Sequence, residues 1–199
     1  MKKVFIDGSA GTTGLRIRQR LGQRYDIKLV TLSEEKRKDP AARLDALTSA
    51  DIAFLCLPDD AARETAAAAH DADTVIIDTS TAHRTAEGWT YGMPELAGMR
   101  ARIADSHRIA NPGCHASGFI ALIAPLVGAG VIPPDTPLSC FSLTGYSGGG
   151  KKMIAEYEES ADELLSAPRL YAHGEEHKHL SEMTKIRGIM RPPLFVPVV

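Results

Sequence analysis

Short apolar runs alternate with helix-like stretches along the first half of the chain. Val4-Phe5-Ile6-Asp7 reads as a strand, and the glycine-rich Gly8-Ser9-Ala10-Gly11-Thr12-Thr13-Gly14 follows it directly. Leu15 to Leu21 then reads as a helix with apolar residues at 15, 17 and 21. Ile27 to Leu32, Asp51 to Leu57 and Thr74 to Asp78 read as further strands. Ala61 to His70, between the last two, reads as an alanine-rich helix with Asp59 or Asp60 as its cap. The strands are apolar at nearly every position, as strands buried on both faces must be. Alternating with helices, they predict an α/β fold: a Rossmann-like, doubly wound parallel sheet with helices on both faces.

After about residue 110 the pattern changes. A helix is predicted from Cys114 to about Val127, with Pro125 expected to kink or end it. Pro133-Pro134-Asp135 is a loop, and Leu138 to Thr144 is a strand that ends in Gly145-Tyr146-Ser147-Gly148-Gly149-Gly150. Lys151 to Ser166 reads as an amphipathic helix, apolar at 154, 157, 161, 164 and 165. The chain closes on a strand-like tail, Pro193 to Val199. These shifts divide it into domains 1–112 and 113–199. Because the tail stops in mid-strand, the second, α+β domain is expected to be incomplete at its C-terminus.

Composition narrows the classes. The 199 residues carry a formal charge of −2, which points to neither nucleic acid nor an anionic membrane as partner. No apolar stretch is long enough to span a bilayer, and the N-terminus has no signal-peptide core. The three cysteines have no metal-like spacing, so a reducing cytoplasm and no metal site are expected. Cys56 and Cys140 lie in apolar runs and read as inert strand residues.

The glycine loop between a strand and a helix has the setting of a dinucleotide fingerprint. Its backbone N–H groups can approach a pyrophosphate at the helix N-terminus. Its spacing, Gly-x-x-Gly-x-x-Gly, departs from the usual Gly-x-Gly-x-x-Gly. The second strand ends at Leu32-Ser33 and runs into Glu34-Glu35-Lys36-Arg37-Lys38. A hydroxyl and a basic cluster suit a 2′-phosphate, so Ser33 and Arg37 favour NADP. Glu34 leaves NAD open.

Cys114 follows Asn111-Pro112-Gly113 and opens an apolar helix. Helix N-terminal N–H groups favour a thiolate, and a thiolate near a nucleotide loop points to covalent catalysis at a carbonyl carbon. Gly145 to Lys151 spells Gly-x-x-x-x-Gly-Lys, nearly a P-loop, with Asp78 placed like a Walker B acid. Lys152 stands where such a loop needs Ser or Thr for Mg²⁺, so ATP chemistry is the weakest reading. Lys151 and Lys152 at a helix start suit either an anion or solvent. His173, His177 and His179 cluster, and His177 and His179 are expected to share one face of an extended segment. Histidine supplies the acid/base near neutrality that thiolate chemistry needs.

Six segments taken in order resemble the N-acetyl-γ-glutamyl-phosphate reductases of arginine biosynthesis, of the shorter type. They are Gly8 to Gly14, Asp78-Thr79-Ser80-Thr81-Ala82-His83-Arg84, Tyr91-Gly92-Met93-Pro94-Glu95-Leu96, Asn111-Pro112-Gly113-Cys114, Gly145 to Lys151, and His177-Lys178-His179. His115 and Ser117 depart from residues common in that family, whose members continue beyond residue 199. The resemblance implies the architecture of semialdehyde dehydrogenases and reduction of an acyl phosphate by NADPH through a thioester on Cys114. It implies that His177 or His179 moves the proton, and that N–H groups at the start of the Cys114 helix stabilise the oxyanion. Gly8, Ser9, Ala10, Gly11, Thr12, Thr13, Gly14, Ser80, Ser147, Gly148 and Gly149 would hold the cofactor. Arg84 and Lys151 would hold substrate, with Asn111 orienting the cysteine loop. It also implies a homo-oligomer, dimer or tetramer, with inorganic phosphate as co-product. Two alternatives stay open: a non-catalytic nucleotide-binding module, and an aspartate-semialdehyde-type dehydrogenase.

Overall fold

The apolar runs of the first 112 residues become parallel strands. The computed structural model describes residues 1–171, 177–186 and 188–199. His173 lies outside the described residues. The chain separates into two units, Met1–Pro112 and Gly113–Val199.

In the first unit, β1 (Lys2–Asp7), β2 (Ile27–Val30), β3 (Ile52–Leu55), β4 (Val75–Asp78), β5 (Thr90–Tyr91) and β6 (Arg108–Ala110) form one sheet in the order β2-β1-β3-β4-β6-β5. Every pairing is parallel, with Val4 opposite both Leu29 and Ile52, and Ile76 opposite Arg108. Parallel neighbours require crossovers. Helices α1 (Thr12–Leu21), α2 (Pro40–Thr48), α3 (Asp59–Ala68) and α4 (Met99–Ala104) lie in four of them. Leu47, Ala53, Leu55, Ala62 and Ile76 are wholly buried in the core. Each buried Leu or Ile contributes about 1.5–3 kcal/mol.

Several details differ from the pattern reading. Helix α1 begins inside the glycine loop, and its buried residue is Gly14, whereas Leu15 is 51% exposed. Gly14 lies close against the loop backbone, and of the stripe at 15, 17 and 21 only Ile17 and Leu21 are half-buried. Helix α3 starts at Asp59, with Pro58 as its cap. The Asp59 carboxylate instead accepts hydrogen bonds from Thr81, from its N–H at 2.9 Å and from its hydroxyl. Helix α2 carries a start signal that hydrophobic periodicity passes over. Asp39 accepts from the Ala41 N–H at 2.9 Å, and Pro40 occupies the first turn. Strands β5 and β6 are too short to show a period.

The second unit contains α5 (Cys114–Gly128), β7 (Ser139–Leu143), α6 (Gly150–Glu159), α7 (Leu180–Lys185) and β8 (Leu194–Val198). Helix α5 continues to Gly128, within one turn of Pro125. The tail pairs with β7 in parallel, Cys140 opposite Phe195 and Ser142 opposite Pro197. The helix expected to run to Ser166 stops at Glu159. Ser160 is extended, and a separate short turn covers Glu163–Ser166. Local side chains compete for the backbone there: Ser160 Oγ accepts from the Asp162 N–H at 3.1 Å, and Asp162 from the Leu164 N–H at 3.0 Å.

Candidate active site

The glycine loop is built for close approach. Gly8 has φ +79°, and a Cβ there would lie 2.2 Å from the Cys56 carbonyl oxygen. A Cβ on Gly14 would lie 2.4 Å from the Gly8 oxygen. The Gly11 N–H closes the turn onto that oxygen at 2.9 Å, and Gly11 caps α1, with Thr12 and Thr13 in its first turn. Gly8, Ser9 and Ala10 border a cleft of about 640 Å³ that also carries the cations Arg18, Arg37, Lys38 and Arg43 and the acids Asp7 and Glu34. A narrow backbone turn beside a cationic cleft fits a dinucleotide phosphate. Arg37 is paired on the surface with Glu34 at 2.8 Å. Ser33 is exposed and does not line the cleft; its carbonyl oxygen accepts from the Lys36 and Arg37 N–H groups. Arg18 and Arg43 escaped the sequence reading. Arg18 follows Gly14 by one helical turn, and Arg43 follows the Asp39-Pro40 start by another, so helix starts were the signal available.

At the end of β4, Asp78 is fully buried. Its carboxylate accepts from the Ser80 N–H at 2.9 Å, the Ser80 hydroxyl at 2.7 Å and His83 Nδ1 at 2.6 Å. His83 stacks on Trp89 with centroids 4.0 Å apart. With its oxygens engaged in this way, Asp78 does not serve as a Walker B acid. The same loop presents Arg84, whose Nε donates to the Asn111 carbonyl at 3.0 Å and whose Nη2 donates to the Thr79 carbonyl at 3.2 Å. The Asn111 N–H donates to the Asp78 carbonyl at 2.7 Å. The backbone thus brings Arg84 and Asn111 together. Cys56, just past β3, has its thiol pushed up to about 11. Burial is the main cause, and the charges of Asp7 and Asp78 add to it against a hydrogen bond with Thr79.

In the second unit Cys114 is the first residue of α5 and is exposed. Gly113 caps that helix, and its N–H donates to Glu182 Oε2 at 2.9 Å. Glu182 lies on α7 and is 1% exposed. This bond removes the Gly113 N–H from any set of oxyanion donors. His115 is buried, with Nδ1 bonded to Ser142 Oγ at 2.6 Å and Nε2 to the Tyr171 hydroxyl. Its ring lies 5.8 Å from that of His177 and 5.6 Å from that of His179. His177 and His179 are 4.6 Å apart, but not on one extended segment. His179 is in a turn with helical dihedrals and caps α7, because its N–H folds back to His177 Nδ1 at 3.1 Å. That bond makes Nδ1 an acceptor, so the neutral His177 ring carries its proton on Nε2. Burial, with smaller effects from His115 and Lys178, lowers the His177 pKa to about 4. Burial also lowers that of His115 and raises that of Tyr171. Ser147, Gly148 and Gly149 form an exposed turn ahead of α6, and Lys151 is exposed in its first turn. Tyr171, Ser142 and Glu182 were not singled out from sequence, since nothing local marks them.

A nucleotide-type parallel sheet followed by an α+β unit, with an exposed cysteine opening its first helix, is the architecture of a two-domain dehydrogenase. The family description "Semialdehyde dehydrogenase, NAD binding domain" matches residues 3–106, and "Semialdehyde dehydrogenase, dimerisation domain" matches residues 114–199. The chain belongs to the semialdehyde dehydrogenase family, and its first unit is that family's NAD(P)-binding domain. Among its relatives it is 50% identical over 200 residues to the N-acetyl-gamma-glutamyl-phosphate reductase of Chelativorans sp. (strain BNC1), covering 99% of this chain and 64% of that protein. It is also 50% identical over 195 residues to N-acetyl-gamma-glutamyl-phosphate reductase 2 of Pseudomonas putida (strain KT2440), covering 98% of this chain and 62% of that protein. The chain thus spans under two thirds of the length of these relatives. Solved structures share the fold. Aspartate semialdehyde dehydrogenase II from Vibrio cholerae superposes with a TM-score of 0.68 at 19% identity, over 99% of this chain and 70% of that one. The Candida albicans aspartate semialdehyde dehydrogenase with NADP gives 0.66 at 17% identity, over 100% of this chain and 67% of that one. Among the described residues no helix is long and apolar enough to cross a membrane, and no group of His, Cys, Asp and Glu is arranged to hold a metal ion.

Proposed function

We propose that this chain carries the cofactor-binding and nucleophile-bearing parts of a cytoplasmic NADP-dependent reductase that converts N-acetyl-L-glutamyl 5-phosphate to N-acetyl-L-glutamate 5-semialdehyde and phosphate in arginine biosynthesis. The observation that carries the reading is Cys114, exposed as the first residue of α5, in the unit that also holds the paired rings of His177 and His179. The 50% identity to reductases of that name supports the substrate. In this reading the Cys114 sulfur attacks the acyl-phosphate carbon, the C–O bond to phosphate breaks, and a thioester remains. Free N–H groups of the first turn of α5, beyond Gly113, face the developing oxyanion. His177 is neutral near pH 7, and its Nε2–H suits donation to that oxygen rather than proton abstraction. His179 is then the acid/base at sulfur and oxygen. Arg84, half-buried and braced by two carbonyls, is assigned to the substrate phosphate or carboxylate through its positive charge, and Lys151 as a second cation.

The glycine loop, with Gly8 to Gly14 at the pyrophosphate and Ser80 nearby, would hold the dinucleotide, and Ser147 to Gly149 its nicotinamide half. Arg37, Lys38 and Arg18 favour NADP over NAD because a 2′-phosphate adds negative charge at a cationic cleft. When bound, NADPH supplies the hydride that reduces the thioester. Assembly into a homo-oligomer, dimer or tetramer, fits the dimerisation-domain match and the exposure of Phe141 (68%) and Leu143 (72%) on β7. The test is the reverse reaction: semialdehyde, NADP and phosphate, followed by NADPH absorbance. Phosphate-dependent NADPH formation that disappears in Cys114→Ala, with NADPH binding retained, is the expected result. Turnover that survives in Cys114→Ala refutes the mechanism.

A further inference from the structure

We propose that Arg43 governs the strength of dinucleotide binding by neutralising Asp7, a carboxylate buried at the threshold of the glycine loop. The inference rests on the reading that the cleft beside Gly8, Ser9 and Ala10 holds the cofactor. Asp7 is the last residue of β1, is 4% exposed and directly precedes Gly8. Arg43, in the first turn of α2, grips it with both arms of its fork: Nε donates to Oδ1 at 2.9 Å and Nη2 to Oδ2 at 2.8 Å. Both residues line the same cleft as the loop.

A dinucleotide brings a doubly negative pyrophosphate to this loop. A buried carboxylate at its edge, away from bulk water, repels that charge with little screening. A bidentate guanidinium cancels the repulsion, which a point-charge lysine would do less completely. A purely structural role, tying α2 to β1, is the competing account, and the two predict opposite signs for one variant. If charge governs, Asp7→Asn keeps a side chain of the same shape, leaves the Arg43 cation uncompensated in the cleft, and tightens binding. If tethering governs, Asp7→Asn loosens α2 and weakens binding.

The experiment is titration of the 199-residue chain with NADPH, followed by nicotinamide fluorescence, with circular dichroism melts on every variant. The charge account expects binding about tenfold weaker in Arg43→Met and several-fold tighter in Asp7→Asn, with the double variant returning to near wild type, magnitudes set by one unit charge at a separation of several ångströms. Binding that is unchanged or weaker in folded Asp7→Asn, or a double variant no better than Arg43→Met, overturns the proposal. Should Arg43→Met fail to fold, Asp7→Asn alone decides the sign. Wild-type binding is the separate control: its absence removes the cofactor reading itself, and this proposal with it.

Discussion

Replacing Glu182 tests whether the cysteine loop is held from α7. Its carboxylate is 1% exposed and accepts the Gly113 N–H at 2.9 Å, one residue before Cys114. In Glu182→Ala that buried donor loses its charged partner. A charge-assisted hydrogen bond of this kind contributes about 1.5–3 kcal/mol, and leaving the donor unsatisfied is part of that cost. Removing the buried methylene adds about 0.8 kcal/mol. The expected local loss is about 2–4 kcal/mol. Glu182→Gln keeps an acceptor oxygen at the same reach and should lose about 1 kcal/mol. The assay is amide hydrogen exchange read on peptides from α5 and α7, because local opening there reports the loss directly. Every 1.4 kcal/mol is a tenfold change in an opening equilibrium, so the alanine variant should exchange about 30-fold to several hundred-fold faster in both helices. Glutamine exchanging as fast as alanine, or alanine matching wild type, would refute the argument that the hydrogen bond anchors the loop.

Three further outcomes are expected. Gly14→Ala places a Cβ 2.4 Å from the Gly8 oxygen and 2.8 Å from the Ser9 Cα, both backbone atoms that cannot swing away; a cost of about 1–3 kcal/mol and at least tenfold weaker NADPH binding are expected, by thermal melt and fluorescence titration. The folded pKa of His177, about 4, lies below its usual 6.5, so the unfolded chain binds more protons between those values. The contribution of His177 to stability is therefore complete above pH 6.5 and lost as pH falls towards 4, with His115 acting in the same direction; an NMR titration placing the His177 midpoint near 6.5 would contradict its burial. Asp78→Ala strands the three donors from Ser80 and His83 and should cost about 3–5 kcal/mol by urea denaturation, whereas Asp78→Asn, which keeps an acceptor, should cost less.

Local chemistry was legible in the residues themselves. Apolar runs of four to six residues between helical stretches imply a parallel sheet, because only strands covered on both faces are apolar throughout. The glycine loop and the start of the helix at Cys114 were legible for the same reason, since both are short-range backbone decisions. Where reading failed locally, a competing short-range interaction had won. Ser160 and Asp162 ended α6 early, and the His179 N–H turned back onto His177, so alternation along an extended strand did not apply.

What only the tertiary structure decided are the pairings that lie far apart in the chain. Arg43 meets Asp7 across 36 residues, and Glu182 meets the Gly113 N–H across 69. His115 finds Ser142 and Tyr171 from across its own unit, 27 and 56 residues away. No periodicity or motif announces such pairs, because burial creates them. A carboxylate removed from water needs a donor, and which donor it finds depends on where the folded chain brings its segments together.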